Sequence, residues 1–294
     1  MSDTRLTGTG VAIITPFNND YSIDYPALER VVEHCIKGKV NYIVVLGTTG
    51  ESVTLNKSEK TEVVNTVLKA ASKRVPVVVG IGGNNTMDVI ESIKTTNLIN
   101  LDGILSVVPY YNKPNQQGLY EHYKAIAKVS PLPVIMYNVP SRTGTNMCAE
   151  TTVKLATDFK NLVAVKEASG NMQQIMEILR DKPEGFEVIS GDDALTFPMI
   201  SLGAVGVISV IANAFPKDFS MMVEEALGSN FPLARKIHLS MLELISALFT
   251  EGSPAGVKAA MHMQNLIQNV VRLPLTPVSE KHYQKLAEIV KKNK

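Results

Sequence analysis

The sequence predicts an α/β protein, a (β/α)8 TIM barrel with a C-terminal helical appendage, on three observations. Eight short runs rich in β-branched residues recur without the alternation of a half-exposed strand, longer segments with helical spacing lie between them, and from about Phe231 onward the pattern is helical only. Strands apolar on both faces and separated by helices belong to a parallel sheet covered by helices, and eight such units close a barrel. A length of 294 residues suits one barrel with an extra segment, dividing the chain into a barrel over 1–230 and a helical segment over 231–294.

The runs follow one another in a regular order. GVAIITPF (10–17) is followed by a helix expected over 24–37, NYIVVLGTTGES (41–52) by one over 57–71, VPVVVGIGGN (75–84) by one over 87–99, and GILSVVPYY (103–111) by one over 116–129. In each helical segment apolar residues return every three or four positions, the period of an amphipathic helix. LPVIMYNVPS (132–141), LVAVKEAS (162–169), FEVISGDD (186–193) and GAVGVISVIAN (203–213) complete the set. The seventh and eighth are joined only by ALTFPMISL, the weakest helix of the series. RKIHLSMLELISALF, PAGVKAAMHMQNLIQNV and SEKHYQKLAEIVKK then read as three helices, with no low-complexity linker before them.

Composition narrows the function. The 29 basic and 28 acidic residues leave a net charge of +1, so no field exists to draw in nucleic acid or an anionic membrane, and a small molecule is the expected partner. Cys35 and Cys148 have no CxxC spacing and no histidine cluster nearby, which argues against a disulfide framework and a zinc site and for two reduced, packed thiols. MSDTRLTGTG contains no signal-peptide core, and no apolar run approaches the ~18 residues of a membrane span, so the expected location is cytoplasmic.

Barrel enzymes act at the carboxyl ends of their strands. GTTGES, PYYN, YNVPSRTG, Lys166 with Glu167, and GDD all fall there. Lys166 is the anomaly, an ammonium at the end of the core run LVAV. A lysine stem can snorkel to a carboxylate such as Glu167 or an acid of the GDD loop. One aimed into a barrel lumen is desolvated, and buried lysines are known with pKa values ~3 to 5 below the ordinary value near 10.4. The neutral amine is a nucleophile suited to Schiff-base formation with a carbonyl. Asp192 and Asp193 after strand seven would repel the phosphate of pyridoxal phosphate or of a sugar phosphate, so the expected substrate is a small oxo acid with its carboxylate on the hydroxyls and turn amides of GTTGES. No histidine stands at a strand end, which leaves Tyr110, Tyr111 and Tyr137 as proton carriers. The planar fork of Arg142 suits a second carboxylate at the pocket mouth.

GTTGES, PYYNKPNQQGLYEHY, YNVPSRTG, VKEASGN and GVISVIAN, in this order and spacing, resemble the dihydrodipicolinate synthases of the N-acetylneuraminate lyase superfamily, essentially end to end. The resemblance implies condensation of pyruvate with L-aspartate 4-semialdehyde in the diaminopimelate route to lysine, with no metal or organic cofactor. It implies an imine on Lys166, the pyruvate carboxylate on Thr48 and Thr49, Tyr137 as acid-base group, and a relay through Thr48 to Tyr111 from a neighbouring subunit. It further implies a homotetramer of two tight dimers, Arg142 as receiver of the semialdehyde carboxylate, and the chain around Ile208 as pyruvate-pocket wall. Pyruvate-releasing neuraminate and sugar-acid aldolases share the lysine, the tyrosine and a GxTGE loop but lack the arginine of SRTG, so Arg142 separates the two chemistries. The intact set of chemical positions argues against an inert scaffold.

Many relatives bind lysine as a feedback inhibitor at the tight dimer interface. The corresponding positions are Ser52, Val53, Lys57, Lys60, Asn84, Asp88 and Tyr110. Lysine-sensitive forms carry histidines where this chain has Lys57 and Lys60, and like charges at about 4 Å cost on the order of 1 to 4 kcal/mol. Weak or absent inhibition is the expectation.

Overall fold

In the computed structural model, which describes residues 6–292, eight strands pair in chain order, all parallel. They are β1 (Gly8–Ala12), β2 (Tyr42–Val45), β3 (Val77–Gly80), β4 (Gly103–Val107), β5 (Val134–Asn138), β6 (Leu162–Glu167), β7 (Glu187–Ser190) and β8 (Gly206–Ser209). β8 returns to β1 and closes the barrel. At that seam a Cβ on Gly206 (φ +152) would lie 2.0 Å from the Gly8 carbonyl oxygen, so only glycine lets the two backbones meet. The first five residues of the N-terminal stretch and the last two of the helical segment lie outside the described residues.

The strands are apolar on both faces because each face meets a separate core. Val11, Ile43, Val45, Val77, Val79, Val134, Met136, Val165 and Val207 point outward into the layer between barrel and helices. Ala12, Tyr42, Val44, Val78, Leu105, Ile135, Tyr137, Ala164, Ile189 and Ile208 fill the lumen. Side chains alternate along a strand, so Lys166, two residues after Ala164, follows it inward.

Around the barrel lie α1 (Tyr25–Lys37), α2 (Lys57–Ala71), α3 (Thr86–Thr95), α4 (Gln116–Val129), the short α5 (Pro140–Thr143), α6 (Ala149–Asp158), α7 (Met172–Asp181), α8 (Thr196–Ser201) and α9 (Pro216–Leu227). Three of the four helices expected over 24–37, 57–71 and 116–129 form with the expected ends to within a residue. α2 begins in a capping box, where Asn56 accepts from the Glu59 amide at 3.0 Å and Glu59 accepts from the Asn56 amide at 2.9 Å. α3 ends at Thr95 rather than 99, because Asn97 accepts from the Ile99 amide at 3.1 Å and turns the chain. The weak ALTFPMISL segment does form a helix, α8, of six residues.

Beyond the barrel come α10 (Phe231–Phe249), α11 (Ala255–His262) and α12 (Glu280–Lys292). The helix expected over 254–270 stops at His262 because Asn265 takes φ 59 and the Asn265 amide donates to His262 O at 2.8 Å, reversing the chain. α10 packs against α9, and α12 against α10 and α11, so the segment after residue 230 lies against the helical layer of the barrel. No helix among the described residues is long and apolar enough to cross a membrane.

Candidate active site

The carboxyl ends of the strands surround a cleft of about 730 Å³, lined by Thr48, Thr49, Tyr137, Arg142 and Lys166, among others. Five residues expected to work together from sequence are therefore brought to one place from four positions: the turn after β2, the end of β5, α5 and the end of β6.

Lys166 and Tyr137 are cross-strand partners on β6 and β5. Both point inward, and the lysine Nζ stands 4.3 Å from the centroid of the tyrosine ring. Lys166 is buried, and its pKa is brought down to about 7, chiefly by loss of solvation. The Arg142 cation pushes in the same direction and the Asp193 carboxylate pushes back. Burial raises the pKa of the Tyr137 phenol, while the Arg142 charge and a hydrogen bond with Thr48 favour the phenolate. An amine that is neutral for much of the time thus sits beside a phenol held by a hydroxyl, the pair required to form a carbinolamine and move its proton.

Thr48 and Thr49 lie in a 3-10 turn, Thr48–Gly50, directly after β2. Leu46 (φ 58) and Glu51 (φ 52) on either side are left-handed, which folds the turn sharply, and Gly47, Thr48 and Thr49 line the cleft. The Thr15 hydroxyl, three residues beyond β1, donates to Gly50 O at 2.7 Å and fixes the turn. Arg142 stands on α5, which Pro140 starts at its first turn and Gly144 (φ +67) ends, and its exposed side chain lies at the mouth.

Glu167 does not pair with Lys166. It is on the opposite face of β6, fully buried, accepting from Ser169 N at 2.7 Å, Asn138 Nδ2 at 3.1 Å and Gln174 Nε2 at 3.2 Å, and it locks β5 to β6 behind Lys166 and Tyr137. Of the two GDD acids, Asp192 lines the cleft and accepts from Ala194 N at 2.9 Å. Asp193 is buried, accepts from Val210 N at 3.1 Å and Ile211 N at 2.9 Å, and is raised to about 6 by burial. It therefore fixes the end of β8. Ile208 belongs to the lumen cluster with Tyr137, and Val210, two residues on, is the β8-side residue that lines the cleft.

Tyr111 is 88% exposed with φ 72 and does not line this cleft. Tyr110 beside it is 36% exposed. Outside the cleft lie Ser52 and Val53 on the β2–α2 connection, Lys57 and Lys60 in the first turn of α2, Asn84 on the β3–α3 connection and Asp88 in the first turn of α3, and Asn112 Nδ2 donates to Asn84 O at 2.9 Å, tying the tyrosine loop to the β3–α3 connection.

Two features escaped the sequence reading. Gly191 is a site residue, because a Cβ there would come 3.0 Å from Lys166 Cε and 2.7 Å from the Ala168 Cβ. Leu242, Ile245, Ser246 and Phe249 of α10 form one wall of the cleft. The signal for the wall was in RKIHLSMLELISALF, which is apolar on more than the single face a covering helix needs. All five histidines of the chain are on helices, and none lines the cleft. Among the described residues no group of three or more His, Cys, Asp or Glu could hold a metal ion. Cys35 is buried, its thiol pushed up to about 12, whereas Cys148 is only half-buried.

Comparison with known proteins agrees over the whole chain. The sequence model described as the dihydrodipicolinate synthetase family matches residues 5–293. A 4-hydroxy-tetrahydrodipicolinate synthase of Parabacteroides distasonis is 52% identical over 291 residues, 99% of this chain and 98% of the relative. The crystal structure of dihydrodipicolinate synthase from Aquifex aeolicus superposes with a TM-score of 0.94 at 42% identity, covering 98% of each chain. A chloride-inhibited dihydrodipicolinate synthase from Acinetobacter baumannii, complexed with pyruvate, superposes with a TM-score of 0.94 at 40% identity over 97% of this chain and 98% of that one.

Proposed function

Since the chain belongs to the dihydrodipicolinate synthetase family, we propose that its cleft condenses pyruvate with L-aspartate 4-semialdehyde to 4-hydroxy-tetrahydrodipicolinate, the lysine and diaminopimelate branch reaction, through an imine on Lys166. The observation that carries the reading is the buried Lys166 amine, lowered to about 7 and held 4.3 Å from the Tyr137 ring in a cleft shared with Thr48, Thr49 and Arg142.

The neutral Lys166 nitrogen attacks C2 of pyruvate, whose carboxylate rests on Thr48, Thr49 and the turn amides. The carbinolamine oxygen takes a proton by way of Tyr137 and leaves as water, giving the imine. Loss of a C3 proton to the tyrosine relay yields the enamine, with the iminium as electron sink. The enamine carbon bonds to the aldehyde carbon of the semialdehyde, whose carboxylate is held by the two-pronged Arg142 guanidinium, and the new alkoxide is protonated. The semialdehyde's own amine then adds to C2 and expels the Lys166 amine, closing the ring. The atoms balance with one water released.

Tyr111 joins the relay of a neighbouring subunit in this reading. Its exposure and left-handed φ of 72 support that role, as do the exposed Val53 on the β2–α2 connection and Met87 in the first turn of α3. The assembly is a homotetramer of two tight dimers, and the exposed Leu202 after α8 and Leu239 on α10 offer an apolar face for the second contact. The barrel through residue 230 supplies the chemistry, the segment from 231 supplies a wall, and unpaired thiols suit a cytoplasmic enzyme. Incubation with pyruvate and borohydride tests the core of the proposal. A stable mass increase on Lys166 is expected, and its absence refutes the imine.

A further inference from the structure

A second lysine is buried in this protein, and the mechanism makes no use of it. Lys258, on α11, is fully buried and absent from the cleft lining, so a keto acid in the cleft does not reach it. Its Nζ is ion-paired with Glu51 Oε1, donates to Val270 O at 3.0 Å and lies 4.1 Å from the centroid of the Phe17 ring. Burial brings the ammonium down to about 8, and the Glu51 carboxylate opposes that fall. The other oxygen of Glu51 accepts from the Arg272 amide at 2.9 Å. The Arg272 guanidinium covers the same Phe17 ring at 4.5 Å, donates to Glu59 at 2.6 and 2.9 Å, and reaches Thr54 O at 3.0 Å. Two cations and two anions form one compact cluster behind the β2–α2 loop.

Glu51 ends the turn that carries Thr48 and Thr49. Its amide donates to Thr48 O at 3.1 Å, and its own carbonyl accepts from the Thr54 hydroxyl at 2.9 Å. A non-glycine residue persists in the left-handed region only where its surroundings hold it there. What holds Glu51 is a carboxylate gripped by a lysine 207 positions away in the C-terminal segment. A buried ion pair adds little stability over apolar groups of the same volume, whereas removing one partner leaves an uncompensated charge that must move or take a proton. The consequence of this pair therefore lies in the geometry it fixes.

We propose that Lys258 is a positioning residue: acting through Glu51, it sets from the C-terminal segment the turn on which the substrate carboxylate is seated. The inference rests on the reading of that turn as the pyruvate seat. It gives the segment after residue 230 a second contribution to the site, a latch in addition to the α10 wall.

The test uses the full chain with Lys258→Met, which removes the ammonium and keeps most of its volume. Pyruvate is varied at saturating semialdehyde, and borohydride trapping is titrated with pyruvate alone. The pyruvate KM and the half-saturating pyruvate for trapping are expected to rise by about tenfold or more, with kcat and the semialdehyde KM within about threefold of native, the pattern of lost ground-state binding. Adding Glu51→Gln to Lys258→Met removes the stranded charge and should recover at least about threefold of that loss. A merely structural lysine would lower the yield of folded enzyme or kcat and leave the pyruvate KM alone, and either that pattern or a native pyruvate KM in Lys258→Met overturns the proposal. Where Lys258→Met does not fold, Glu51→Gln alone is read by the same split in KM and kcat. Failure of the native enzyme to be trapped would refute the pyruvate reading, whereas native trapping with unchanged half-saturation in the variants refutes only the latch.

Discussion

Replacing Lys166 by methionine should abolish turnover and make the protein more stable, by an amount that depends on pH. The structure supplies the magnitude. Burial brings the folded-state pKa of Lys166 from 10.5 down to about 7, and at 1.36 kcal/mol per pH unit that fall corresponds to about 5 kcal/mol. The sign follows from proton counts. Between about pH 7 and 10.5 the unfolded chain carries the Lys166 proton and the folded chain does not, so native stability rises with pH across that window. Below about pH 7 both states are protonated and the whole cost of the buried ammonium is felt. Methionine fills nearly the same space and carries no such cost. Lys258, lowered to about 8, changes stability in the same direction but is present in both proteins and cancels in the difference. Asp193, raised to about 6, titrates below the window.

Urea unfolding of the native protein and Lys166→Met, at one protein concentration and at pH 7 and pH 10, measures this difference. The variant should be more stable by several kcal/mol at pH 7, and the excess should shrink by about 4 kcal/mol at pH 10. An excess equal at the two pH values would mean that Lys166 is not desolvated in the folded state, and the account of its reactivity would fail with it.

Four further outcomes are expected. The rate of pyruvate trapping should rise with pH through about 7, as Lys166 gives up its proton, and level off above it, while Lys166→Arg, which cannot deprotonate, shows no trapping and no turnover in a folded barrel; trapping that is flat from pH 6 to 8 would refute this. Arg142→Met should raise the semialdehyde KM by about 10- to 100-fold and the pyruvate KM far less, as loss of a two-pronged carboxylate contact does; steady-state kinetics with each substrate varied will tell. Tyr111→Phe should lower kcat by about 10²- to 10⁴-fold, and mixing it with Lys166→Arg subunits should regenerate activity in hybrid dimers, each having one site with both native groups; no recovery would mean that Tyr111 serves its own subunit or none. Lysine at submillimolar concentration should leave the rate unchanged, the expectation being that Lys57 and Lys60 would repel its ammonium groups, and inhibition in that range would sink the charge argument.

The fold was legible because its signals are local. A strand apolar on both faces must lie between two cores, and the lumen and outer-layer clusters meet that requirement on one strand after another. What periodicity left out was decided by single polar contacts, such as the Asn97 turn that shortens α3 and the left-handed Asn265 that ends α11 eight residues early. Neither changes the amphipathic pattern, so neither leaves a trace in it.

The candidate site divides in the same way. Lys166, Tyr137, Thr48, Thr49 and Arg142 share one cleft because the barrel rule converts position at a strand end into proximity; only Lys166 is chemically out of place in its own run, and the separate roles of Thr48 and Thr49 came from the family resemblance. Gly191 was not, since its contribution is the space it leaves beside the Lys166 stem, and an absent side chain has no chemistry to announce. Glu51 was misleading for a different reason. Inside GTTGES it looks like one more rim group, yet a left-handed φ of 52 sends its carboxylate away from the cleft to Lys258. Backbone handedness at one residue decides whether a carboxylate faces the substrate or the scaffold. No spacing rule reaches that choice, because the partner that fixes it lies on a helix folded back from the far end of the chain.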